Sequence, residues 1–180
     1  METEPLPPAA LAPAEQLLVD VWRRHTSAEF VARDVEGAPA TMTADPHVLL
    51  VPLAAGGAGR DGVRRFYGEV FIPQFPPDLA MEPVSLTVGQ GRLVGEAILR
   101  FTHSLRMDWI LPGVPPTGRA LEVPYVGVIA FREGKVASEH LYWDQAAVLV
   151  QAGLLAPERL PVAGAAGAHA LRDPGRLAAP

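Results

Sequence analysis

The chain has 180 residues, 49% of them hydrophobic, a net charge of −5 and no cysteine. That length suits one domain with a sizeable core, and the lack of cysteine excludes disulfides, thiol nucleophiles and thiolate metal sites. The positive charge is scattered and almost all arginine, with Lys135 the only lysine, so no basic stripe is present to release counterions from a nucleic acid.

Residues 1–12 are rich in proline and alanine and are expected to be disordered. Leu17, Leu18, Val21, Trp22, His25 and Ala28 recur at helical spacing, which predicts an amphipathic helix over 14–33. A short helix over 35–42 is expected to stop at Asp45-Pro46, and His47–Val51 reads as a buried strand. Gly56 to Gly59 break the chain, and Asp61 can cap a helix reaching Ile72. Beyond the prolines at 73, 76 and 77, strands are expected over 81–88 and 92–109, turned at Gly89-Gln90-Gly91. A proline- and glycine-dense loop follows over 111–118. Strands over 119–132 and 135–143, turned at Glu133-Gly134, and a closing helix over 144–153 complete the folded part, residues 13–155. The Ala/Gly/Pro-rich remainder, 156–180, reads as a flexible tail.

Helices grouped on the concave side of a curved antiparallel sheet make an α+β fold with a cone-shaped pocket. No apolar run approaches the roughly 20 residues that cross a bilayer. The acidic opening Met1–Pro5 lacks the pattern of an export signal, so a cytoplasmic location is expected.

Several chemistries do not fit the chain. Gly57-Ala58-Gly59-Arg60-Asp61-Gly62 fits a dinucleotide fingerprint, but antiparallel hairpins follow it instead of a parallel crossover strand. The five histidines show no H-x-H or H-E-x-x-H spacing, so no metal is expected. No G-x-S-x-G elbow recommends a serine nucleophile, and no cofactor is implied.

Arg106-Met107-Asp108 is the more suggestive segment. On a strand Arg106 and Asp108 share a face, which would place an arginine-held carboxylate inside the cone. Glu139, Leu141 and Trp143 share one face of the last strand; His140, Tyr142 and Asp144 share the other, with Asp144 placed to cap the closing helix. Tyr125, Trp109, Trp143 and Leu141, with Leu50, Trp22 and Tyr67, are the expected pocket lining.

The element order, with Pro115-Pro116-Thr117-Gly118-Arg119, Glu133-Gly134-Lys135-Val136 and Tyr142-Trp143-Asp144, resembles the nuclear transport factor 2-like (cystatin-like) superfamily. Within it the chain is most similar to SnoaL-like polyketide cyclases and, through Arg106-x-Asp108, to limonene-epoxide-hydrolase-like enzymes. The closing Gln151-Ala152-Gly153 fits the same pattern. The resemblance covers about residues 14–155, and its departures are informative. The cyclases' catalytic aspartate and the hydrolases' second carboxylate both fall on Leu141, and the cyclases' histidine falls on Gly127. The hydrolases' water-holding residues become Val48 and Leu50, and the base that ketosteroid isomerases carry near Val51-Pro52 is missing.

What the resemblance leaves is a cofactor-free enzyme acting by cyclisation, isomerisation or dehydration on a hydrophobic polyketide- or terpenoid-like compound. Asp108 would be the acid or base oriented by Arg106, Glu139 the second carboxylate and Tyr125 a donor to developing negative charge. Epoxide hydrolysis and non-catalytic ligand binding are the alternatives. The expected partners are a hydrophobic small molecule and a second copy of the chain, packed through the convex face of the sheet.

Overall fold

The computed structural model describes residues 11–158 and 160–177. Most of the N-terminal segment expected to be disordered therefore lies outside the described residues. Pro13 opens α1 (Pro13–Thr26), where its missing N–H costs nothing, and Glu15 reaches back to the Ala12 N–H at 3.0 Å. Two short elements follow, α2 (Gly37–Ala40) and β1 (Met42–Leu50). The chain then makes β2 (Ala55–Ala58) and α3 (Gly59–Arg65). The remaining strands are β3 (Ala80–Gly89), β4 (Arg92–Thr102), β5 (Ala120–Arg132) and β6 (Lys135–Trp143). The helices α4 (Gln145–Gln151) and α5 (Ala166–Arg172) close the chain.

The six strands form one sheet in the order β2-β1-β6-β5-β4-β3. All neighbours are antiparallel except β1 and β6, which run parallel. Register shifts between Met42 and His47, Pro83 and Ser85, and Ala130 and Phe131 mark bulges that bend the strands and curl the sheet around α1. Its inner face carries Val48, Leu50, Leu99, Val123, Ile129 and Leu141, all buried beneath the helices. The α+β cone expected from the sequence is the observed architecture.

Four local expectations change. The glycine run at 55–58 is a strand, because pairing with His47–Leu50 satisfies its backbone in spite of its poor β-propensity. The helix expected over 35–42 shrinks to Gly37–Ala40. The strand expected over 92–109 ends at Thr102, and Arg106 and Asp108 lie in the loop that follows.

The tail expected over 156–180 contains α5, which lies on the outer face of β3–β5. Ala168 is buried there, and the Arg172 guanidinium bridges Glu82 at 2.9 Å and Glu122 at 2.8 Å. None of the described helices is long and apolar enough to cross a membrane.

Candidate functional site

Trp22 and His25 on α1, and Glu29 in the turn that continues it, follow one another at spacings of three and four residues that stack side chains on one helical face. Past Thr26 the helix widens, and the Arg33 N–H bonds the Ala28 carbonyl five residues back. Glu29 sits in this wide turn. A second wide turn continues α3, with the Ile72 N–H on the Tyr67 carbonyl, and it carries Tyr67. Inserted turns of this kind re-aim side chains and recur at functional sites. From the opposite wall β6 contributes Glu139.

These residues converge on the His25 ring. Nε2 faces Glu139 Oε1 at 2.9 Å, Glu29 Oε1 at 3.1 Å and the Tyr67 hydroxyl at 3.2 Å. The Tyr67 O–H donates to Glu139 Oε1 at 2.9 Å. On the other side of the ring, Nδ1 lies 2.6 Å from Thr41 Oγ1. The Thr41 hydroxyl spends its proton on the Ala38 carbonyl at 2.8 Å, so it accepts from Nδ1–H. A proton on Nε2 as well makes His25 an imidazolium shared among carboxylates.

The electrostatics agree. Burial alone would lower the His25 pKa, but Glu139 and Glu29 together override it and hold the ring well above its ordinary 6.5. Burial raises Glu29 above its ordinary 4.5 against the pull of His25. Burial, and then the two carboxylates, push the Tyr67 hydroxyl well up, which leaves it a donor. The cluster can therefore hold and pass protons out of contact with water. The three ligand atoms of His25, Glu29 and Glu139 lie within 4.8 Å of one another and form a set that could also grip a metal ion. Hydrogen bonds inside the cluster already satisfy them.

Beside the cluster is a cavity of about 500 Å³ between Trp22, Met81, Leu86, Ala97, Tyr125 and the two glycines Gly95 and Gly127. Trp22 separates the two regions: it borders the cavity and stacks on His25, with ring centroids 5.4 Å apart and planes at 15°. Deeper in the cone, Phe30, Phe71, Trp109, Tyr125, Leu141 and Trp143 close around about 10 Å³, room for a single water. Tyr125 borders both spaces. Burial, followed by the fields of Glu139 and Glu29, raises its hydroxyl pKa well above 10.

The residues expected from the sequence are distributed across these features. Glu139 and Tyr67 belong to the proton cluster, Trp22 and Tyr125 line the cavity, and Leu50, Leu141, Trp109 and Trp143 fill the inner end. Arg106 and Asp108 join neither group. They pair with each other outside, with the Arg106 side chain 70% exposed. Asp108 accepts from the Gly113 N–H at 2.9 Å, while its own N–H donates to Gln74 at 2.6 Å. It staples two loops together. His140 and Tyr142 point outward as expected, with His140 Nε2 2.9 Å from that of His47. Asp144 caps α4 through the Ala146 and Ala147 N–H groups at 2.8 and 3.1 Å.

His25 was legible only as part of the apolar stripe of α1, and Glu29 and Thr41 not at all. The available signal was Trp22-x-x-His25-x-x-x-Glu29, which sets two ionisable groups on the buried face of one helix.

A curled sheet wrapped on α1, with an apolar cavity, is the architecture of the nuclear transport factor 2-like superfamily, a family that generally binds small molecules. Residues 22–139 match the SnoaL-like domain, and the chain belongs to that family. Among solved structures it is similar to a protein of Jannaschia sp. CCS1 provisionally named a SnoaL-like polyketide cyclase. The two share 20% identity over 82% of this chain and 99% of that one, with a TM-score of 0.68. AclR of Streptomyces galilaeus, provisionally named a hydroxylase, is 21% identical over 79% and 88%, with a TM-score of 0.61. A nuclear transport factor 2-like protein of unknown function from Burkholderia pseudomallei K96243 is 19% identical over 75% and 96%, with a TM-score of 0.58. No curated protein matches the sequence significantly.

Proposed function

We propose that this chain is a cofactor-free SnoaL-like enzyme that moves a proton on a hydrophobic carbonyl compound, as in isomerisation, cyclisation or dehydration. The observation that carries the reading is the buried His25–Glu29–Glu139–Tyr67 cluster lying behind the wall of an apolar cavity. Glu139 is opposite Ile129 on β5, one inward position along from Gly127 in the cavity floor. It takes the proton α to the substrate carbonyl. His25 and Tyr67 steady the carboxylate before and after, and Tyr125 donates a hydrogen bond to the enolate oxygen as charge develops. The proton then returns from Glu139 to another substrate carbon. Arg106 and Asp108 act in this reading as loop supports, which also places epoxide opening behind proton transfer.

Exchange of α-hydrogens for solvent deuterium tests the proposal without a known product. Across a panel of hydrophobic enolisable ketones, followed by NMR, the wild type should accelerate exchange and Glu139→Gln should lose ~10²-fold or more. Equal exchange by both proteins would remove Glu139 from the chemistry.

One observation favours a second reading, non-catalytic ligand binding: Trp22 stands between the cavity and the cluster. Ligand binding without any exchange would select it. We also propose a homodimer through the outer face of β1 and β6, where Tyr142 is 41% exposed and α5 does not reach. Light scattering on the purified chain decides this point.

A further inference from the structure

On the inner face of the sheet Gly95 pairs directly with Gly127, and next to them Ala97 pairs with Tyr125. Glycine is a poor strand residue, and in a strand interior it often marks close approach of a ligand or another backbone. Two glycines facing each other across adjacent strands require a reason. The protein's own packing does not supply one. Neither residue has a positive φ. A Cβ on Gly95 would meet nothing nearer than Leu86 Cδ1 at 3.6 Å, and one on Gly127 nothing nearer than Ile129 and Leu141 methyls at 3.6 Å. Both are ordinary contacts, so the fold would accept a methyl group at either position.

The effect of the glycines is on the cavity. They leave a strip of bare sheet backbone as its floor, with Trp22 as the facing wall. The open side is the free edge of β3, where Val84 and Leu86 stay 39% and 48% exposed.

We infer that Gly95 and Gly127 are specificity-determining residues that hold open a flat slot, admitted from the β3 edge, for a rigid planar uncharged ring system seated between the sheet and Trp22. The inference rests on the proposed function in taking the cavity as the substrate site. A flat floor and an aromatic wall favour a flat ligand over a flexible chain, which has more rotamer freedom to lose on being pressed between them. Among the described residues the one charged group in the lining is Glu96, which is hydrogen-bonded to Ser85 at 3.1 Å.

Pyrene is a suitable probe, because its emission reports both an apolar surround and energy transfer from tryptophan. The wild type should bind pyrene, and a flat ketone such as fluorenone should displace it while a linear dodecanone at equal concentration should not. Gly95→Val and Gly127→Val should remain folded, with Tm at or above that of the wild type, and bind pyrene roughly tenfold or more weakly. If a valine variant fails to fold, Gly127→Ala decides, since its methyl meets only ordinary contacts. Pyrene affinity unchanged in the folded glycine variants, or equal displacement by dodecanone, would overturn the inference. Pyrene binding without any deuterium exchange in the wild type would remove the acid–base reading and leave the slot standing.

Discussion

His25 is held by more acceptors than it has protons to offer, and this sets how the folded chain responds to pH. Its folded pKa is raised, so its contribution to stability is complete below the unfolded value of 6.5 and is lost as pH climbs through the folded value. Glu29 works in the same direction. Raised above 4.5, it keeps a proton in the fold that the unfolded chain gives up, and stability again falls with rising pH. The expected outcome is a Tm that declines as pH rises above 6.5, measured by circular dichroism, with a flatter profile in Glu29→Gln. A Tm that rose with pH over that range would contradict the shared-proton description. The charges of this cluster could not be read from the sequence, because Glu139 lies more than a hundred residues from His25 and only the packing of α1 against β6 brings it near. Its orientation could: the alternation along β6 placed Glu139 inward from pattern alone.

Elements end where their backbone partners end. The run Phe101 to Trp109 alternates like a strand, yet β4 stops at Thr102, and Asp108 finds the Gln74 amide and the Gly113 N–H instead. Gln74 is 34 residues away in sequence, so no local pattern announces it. Asp108→Asn should cost about 1–2 kcal/mol in urea unfolding through weakened loop contacts and leave ketone exchange near the wild-type rate. A collapse of exchange with unchanged stability would return Asp108 to the chemistry. The cap of α4 was legible, because an aspartate just before an apolar helical run has few better uses. Asp144→Ala should cost about 1 kcal/mol, read from the same unfolding curves. The two wide turns that present Glu29 and Tyr67 were not legible, since an i+5 bond leaves no distinctive composition.

Across the whole molecule the apolar space has moved. Large side chains at Phe71, Trp109 and Trp143 fill the inner end of the cone, and small ones at Gly95, Ala97 and Gly127 open it beneath Trp22. Outside, Arg172 pins α5 to β3 and β5 through Glu82 and Glu122, ion pairs whose side chains are 27–41% exposed. Pairs this exposed contribute little to global stability, but they hold a segment that otherwise rests on few contacts. Arg172→Ala should therefore shift Tm only slightly and speed proteolysis of residues after 160. Hydrogen exchange by mass spectrometry should find faster exchange confined to α5. An undisturbed α5 would show that the apolar contact around Ala168 is sufficient to hold it.

The sequence by itself determined the fold class, the strand parity that turns Glu139, Leu141 and Trp143 inward, and the cap at Asp144. These follow from local periodicity and short-range hydrogen bonding, which neighbouring residues encode. The tertiary structure alone decided that the ionisable centre is His25 with Glu29 and Glu139, that Arg106 and Asp108 stand outside it, and where the cavity opens. Those outcomes depend on which distant side chains meet once the sheet curls around α1. Desolvation and charge pairing have no value until that closure sets the distances.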